Sequence, residues 1–93
     1  MKTFYVCIMV SKTGTLYTEI TSNIRKRVWE HKNHIIDSFS GKYKTERLLH
    51  YETIGDSLSA IGREKQIKNW RREKKVKLIE SINPQLNDIV CEW

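Results

Sequence analysis

With 93 residues, 39% of them hydrophobic and 30% charged, the chain has the length of one small domain, residues 1–93, whose core is modest but able to fold alone. No run is long or apolar enough to span a bilayer, and the stretch after Met1-Lys2-Thr3 has no small-residue cleavage site, so neither membrane anchor nor signal peptide is expected. The net charge of +6 is local: eight Lys/Arg and two Glu lie between Arg63 and Lys77, while the other 78 residues carry nine basic and nine acidic side chains. A concentrated charge of this kind suits a polyanion surface better than a merely solvated helix face.

Phe4 to Val10 is β-branched and aromatic and reads as a strand buried on both faces. Ser11-Lys12-Thr13-Gly14 supplies turn chemistry, and Thr15 to Ile20 returns as a second strand of a hairpin. Thr21-Ser22-Asn23 offers cap side chains to a helix on which Ile24, Val28, His31 and Ile35 form one stripe, with Arg27 beside them. Asp37 to Tyr43 is loop-like, and Arg47 to Ile54 reads as a third strand. Gly55-Asp56-Ser57 is a turn and helix cap together. A second helix from Leu58 to about Trp70 takes Leu58, Ile61, Ile67 and Trp70 as its apolar positions, and a third, Arg72 to Ile82, takes Val76, Ile79 and Ile82 before Pro84 stops it. The order β-β-α-β-α-α predicts an α/β (α+β) fold, a small sheet backed by helices.

Tyr17 closes the second strand, and Arg27 and His31 stand four apart on one helix face. A phenol, a fixed guanidinium and an imidazole on one surface can orient a nucleophile, hold phosphoryl oxygens and move a proton. Glu64, midway between Ile61 and Ile67, has two readings: an ion pair with Lys68 one turn on, or a carboxylate holding a divalent metal. Asn83 reads as a helix terminus or as a polar anchor for the site, and Tyr43 as core or site. His34 and His50 have no comparable register. Cys7 and Cys91, at opposite ends of the chain, fit no metal spacing and read as free thiols of a cytoplasmic protein.

The segments Tyr5-Val6-Cys7-Ile8, Leu16-Tyr17-Thr18, Arg27 through His31-Lys32, Arg63-Glu64-Lys65-Gln66-Ile67-Lys68 and Asn83-Pro84, with Asp88 and Glu92-Trp93, resemble the GIY-YIG nuclease family from end to end. The chain is most similar to the short bacterial members related to the excision-repair endonuclease N-terminal domain. The resemblance implies a three-stranded antiparallel sheet flanked by helices and metal-assisted cleavage of phosphodiester bonds. It also implies catalytic roles for Tyr17, Arg27, His31, Glu64 and Asn83, and one Mg²⁺ or Mn²⁺ held by Glu64. Two positions depart from the pattern: Cys7 replaces the first motif's tyrosine and Glu19 the second motif's glycine. Ser38 stands where a glycine is usual, with smaller consequence. A carboxylate at 19 is expected to repel a phosphate or, as the lesser reading, to add a metal ligand. Loss of a general acid or base lowers rates by roughly 10²–10⁴-fold.

The expected function is therefore a metal-dependent DNA nuclease, with turnover reduced by Cys7 and Glu19. Arg25, Lys68, Arg71, Arg72, Lys74 and Lys75 are expected to hold the nucleic acid, and no obligate protein partner is evident. The alternatives are a nuclease fold that binds nucleic acid without turnover and an interaction domain whose basic helix is only solvated.

Overall fold

The computed structural model describes residues 2–11, 13–32 and 45–89, without the side chains of residues 31, 32, 45 and 46. The expectations for Ile35, Ser38, the 37–43 loop with Tyr43, Cys91 and the closing Glu92-Trp93 lie outside the described residues, as does the side chain of His31. Six elements follow in the order β1 (Phe4–Ser11), β2 (Leu16–Thr21), α1 (Ile24–Lys32), β3 (Thr45–Ile54), α2 (Ser57–Lys68) and α3 (Arg72–Ile82). The sheet is antiparallel throughout, in the order β2-β1-β3. This is the three-stranded α+β architecture expected from the sequence.

β1 is the central strand, which explains its unbroken apolar run: one set of side chains faces α1 and the alternate set faces α2 and α3. Cys7 and Met9 pack with Ile24 and Val28 of α1 and with Leu48. Val6, Ile8 and Val10 pack with Leu49, Ala60, Ile67 and Ile79 on the other side. β1 and β2 are joined by a turn in which Gly14 adopts φ +88°, a conformation that suits glycine. Ser11 closes the turn, its backbone N–H donating to Thr15 O at 2.9 Å and its Oγ accepting from Thr15 N at 3.0 Å.

The helix starts follow the capping residues in the sequence. Asn23 Oδ1 accepts from Lys26 N at 3.2 Å, and Asp56 Oδ1 accepts from Ser59 N at 2.8 Å. The break near Trp70 is real: Trp70 N reaches back to Ile67 O at 3.0 Å, and Arg71 O then receives Lys75 N to start α3. The apolar face of α2 differs from the expected one. Leu58 is 81% and Ile61 40% exposed, whereas Ala60 and Ile67 are fully buried. Residue 58 lies about 200° around the helix from Ala60, so the small alanine, not the larger leucine, defines the sheet-facing stripe. Ile82 is also exposed rather than core; it borders a groove beside β3.

The segment after α3 folds back onto the strand. Asp88 Oδ1 accepts from Leu48 N at 3.1 Å, and Arg47 donates to Leu86 O. Both contacts fall where the β1–β3 register shifts between Ile8 and Met9 and again before Ser11.

Candidate functional site

Cross-strand pairing brings together the two positions expected to depart from the motif pattern before any side chain is considered. Cys7 of β1 lies directly opposite Glu19 of β2, and Met9 opposite Tyr17, so all four side chains project toward α1. Arg27, one turn into α1, lies above this row. Its Nε and Nη2 donate to Glu19 Oε2 and Oε1 at 3.2 and 2.9 Å, a two-pronged ion pair. A second carboxylate, Glu30, comes within 3.8 Å of Nη1. Arg27 remains 34% exposed and borders a cleft of about 350 Å³ with Thr21, Ser22, Asn23, Lys26 and Glu30.

The electrostatics follow from this arrangement. The bond from Glu19 holds the Arg27 guanidinium more firmly charged than usual, against the opposing effect of burial. Burial, reinforced by the Glu19 charge and opposed by Arg27, pushes the Cys7 thiol up to about 12. Cys7 is therefore a neutral, packed side chain near neutral pH and cannot supply the base that a more exposed phenol could. The hydroxyl oxygen of Tyr17 is sealed from solvent.

Glu64 is placed differently. It lies on the Ala60–Ile67 stripe of α2, which packs beneath the opposite face of the sheet from Tyr17 and Arg27. Its side chain is 13% exposed, and Oε2 lies 2.6 Å from Lys68 Nζ. The ion-pair reading of Glu64 is thus present in the structure. β2 is an edge strand against which α2 packs, so the acid lies across the sheet from Tyr17 and Arg27 rather than in one cleft with them.

Among the described residues no group of three or more His, Cys, Asp or Glu could hold a metal. A lone carboxylate still fits Mg²⁺, which keeps several waters and takes its remaining ligands from substrate phosphate. Glu64, a carboxylate with 13% of its side chain exposed, is a donor of this kind, and such an ion would compete with Lys68 for it.

Asn83 is committed to the fold. Its Nδ2 donates to Leu49 O and Asn87 O at 3.0 and 2.8 Å, and its Oδ1 accepts from Asn87 N at 3.1 Å. It ties the turn after α3 to β3. Of the basic residues expected to hold nucleic acid, Lys68 is paired to Glu64, while Arg25, Arg71, Arg72 and Lys74 are exposed and Lys75 is half-buried.

One polar network was not anticipated. Arg63 donates from Nε and Nη2 to Glu52 at 2.8 and 2.9 Å and from Nη1 to Gln66, and the buried His50 ring lies 3.0 Å from the same carboxylate. Arg63 above all holds the Glu52 carboxyl below its usual range, with a smaller contribution from His50 and against burial. The signal was the i, i+2 spacing of His50 and Glu52, which puts both on one face of a strand.

The GIY-YIG catalytic domain model matches residues 3–77. The chain belongs to the GIY-YIG family. It is 41% identical over 86 residues to a UPF0213 protein of Syntrophus aciditrophicus, covering 87% of this chain and 93% of that one. To a UPF0213 protein of Staphylococcus saprophyticus it is 33% identical over 79 residues, covering 85% and 96%. The solution NMR structure of the UPF0213 protein BH0048 from Bacillus halodurans shares the fold, with a TM-score of 0.61 at 22% identity over 95% of this chain and 94% of that one. Membership of this family points to nuclease-type chemistry on nucleic acid. Cys7 and Glu19, the two positions expected from the sequence to depart from the family pattern, are cross-strand partners, and Glu19 grips Arg27.

Proposed function

We propose that this GIY-YIG protein is a metal-dependent nuclease that hydrolyses phosphodiester bonds in DNA, with a turnover restrained by Glu19. The observation that carries this reading is the family match over residues 3–77, a span that contains Tyr17, Arg27, His31 and Glu64. Arg27 is the group for the scissile phosphate: a planar guanidinium binds two phosphoryl oxygens as it now binds the two oxygens of Glu19. Tyr17 is assigned the attacking water, a role that requires its hydroxyl, sealed in the free protein, to open toward the substrate, and His31 is assigned a proton. Asn83 acts as a positioning residue through the turn it anchors. Glu64 would hold Mg²⁺ or Mn²⁺, which stabilises negative charge on a phosphate and its departing oxygen. The buried, free Cys7 accords with a cytoplasmic setting.

A second reading rests on the same ion pair: with Arg27 occupied by a carboxylate, the protein binds nucleic acid without cutting it. Incubation of end-labelled single-stranded, duplex and branched DNA with EDTA, Mg²⁺ or Mn²⁺ separates the two. Cleavage that requires the metal supports the nuclease. Binding in EDTA with no product under either metal supports the second reading.

A further inference from the structure

Two groups of cations stand apart in this molecule. Arg27, Arg63 and Lys68 are each held by a carboxylate, from Glu19, Glu52 and Glu64 respectively. Arg71, Arg72, Lys74 and Lys75, at the start of α3, have no carboxylate partner among the described residues. The α2 half of the 63–77 segment is thus largely neutralised within the fold, and the α3 half is not.

Arg72 and Lys75, three apart on one helix face, line a cleft of about 320 Å³ with Thr13, Gly14 and Thr15 of the β1–β2 turn. Arg72 Nη1 donates to Gly14 O at 2.7 Å, which fixes the guanidinium across the mouth of the turn while its other N–H groups remain available. The hydroxyls of Ser11, Thr13 and Thr15 are linked in sequence at 2.9 and 3.4 Å, ending in the cleft. Two cations and two hydroxyls around a small concavity match the chemistry of one phosphate group. The nearby Trp70 ring is engaged by Lys74 at 4.5 Å and Arg63 at 5.2 Å. The ring is thus already held by side chains of the fold, while the cleft itself presents cations and hydroxyls, which suits a backbone phosphate better than a base.

We propose that the cleft between the β1–β2 turn and α3 seats one backbone phosphate of duplex nucleic acid, separate from the candidate centre at Arg27. This inference rests on the nucleic-acid reading above. The test is fluorescence anisotropy with a labelled duplex in EDTA, titrated at KCl concentrations from about 50 to about 200 mM. Lys75→Gln is expected to reduce the log–log salt slope by about 1 and to weaken binding about threefold at the higher salt. Thr15→Val is expected to weaken binding with the slope unchanged, because a hydroxyl releases no counterion. Lys65→Gln, on exposed α2, is expected to leave the slope unchanged. If Lys75→Gln and Lys65→Gln change the slope equally, the seat is refuted while the nucleic-acid reading stands. Tighter binding to the single strand, equally sensitive to Lys75→Gln, overturns the duplex assignment. No binding to any nucleic acid by the wild-type protein overturns the nucleic-acid reading itself, and the seat with it.

Discussion

Replacing Glu19 with glutamine frees Arg27 with the least disturbance of the strand. The side chain keeps its shape, whereas glycine would add backbone freedom within β2. The pair is joined by two charge-assisted hydrogen bonds at 2.9 and 3.2 Å, with the partners 34% and 23% exposed. A hydrogen bond to a charged group contributes roughly 1.5–3 kcal/mol. Solvent screening at this exposure lowers the value for the pair to about 1–2 kcal/mol. A phosphate that takes Arg27 must displace Glu19, so its apparent binding is weakened by roughly 5- to 30-fold. Glu19→Gln is therefore expected to raise kcat/KM for metal-dependent DNA cleavage by about tenfold, with the gain mainly in KM. Thermal unfolding should show a loss of no more than about 1–2 kcal/mol. A folded Glu19→Gln protein that cleaves no better than wild type would refute the idea that Glu19 competes with substrate.

Cys7→Tyr combined with Glu19→Gly restores both motif positions and is expected to raise cleavage. The thiol is packed against Ile24 and Val28, so the larger ring should also lower stability by about 1–3 kcal/mol in a melting experiment; lower cleavage at a temperature where the double variant is folded would contradict this account of the departures. Asn83→Ala removes three hydrogen bonds that hold the 83–87 turn and is expected to destabilise the fold by about 1–3 kcal/mol in urea, whereas an unchanged midpoint would make the turn self-supporting. Glu52 has a lowered folded-state pKa, so its contribution to stability is complete above its ordinary value near 4.5 and is lost as pH falls below it. The melting temperature should drop on acidification through that region, and Glu52→Gln should flatten the drop; equal acid sensitivity in both proteins would assign the loss to other groups.

The fold was largely legible because its signals are local. A seven-residue apolar run at β1, capping residues at 23 and 56, and Pro84 each act within a turn or two of chain. The face of α2 was misread because Leu58 and Ile61 outweigh Ala60 in hydrophobicity, yet close approach of helix to sheet favours the smaller side chain. The site was legible only in its parts. Arg27 and Glu19 are eight residues apart on different elements, and their pairing depends on how α1 lies over the sheet. Strand pairing likewise makes neighbours of Cys7 and Glu19, which no spacing rule links. The division of cations into paired and unpaired sets depends on β3, through Glu52, and on packing that charge counting does not see. Lys68 with Glu64 is the exception, since an i, i+4 pair is written in the sequence.

The central claim is that Glu64 and Arg27 act on the same phosphate, from opposite sides of the sheet around the β2 edge. Single-turnover cleavage of labelled DNA in Mg²⁺ by Glu64→Gln, Arg27→Gln and the double variant tests it most directly, with folding checked by thermal melts and DNA affinity measured in EDTA. The account predicts that each single variant abolishes nearly all cleavage while remaining folded, and that the double variant is no worse than either. Substantial metal-dependent cleavage by folded Glu64→Gln would contradict it.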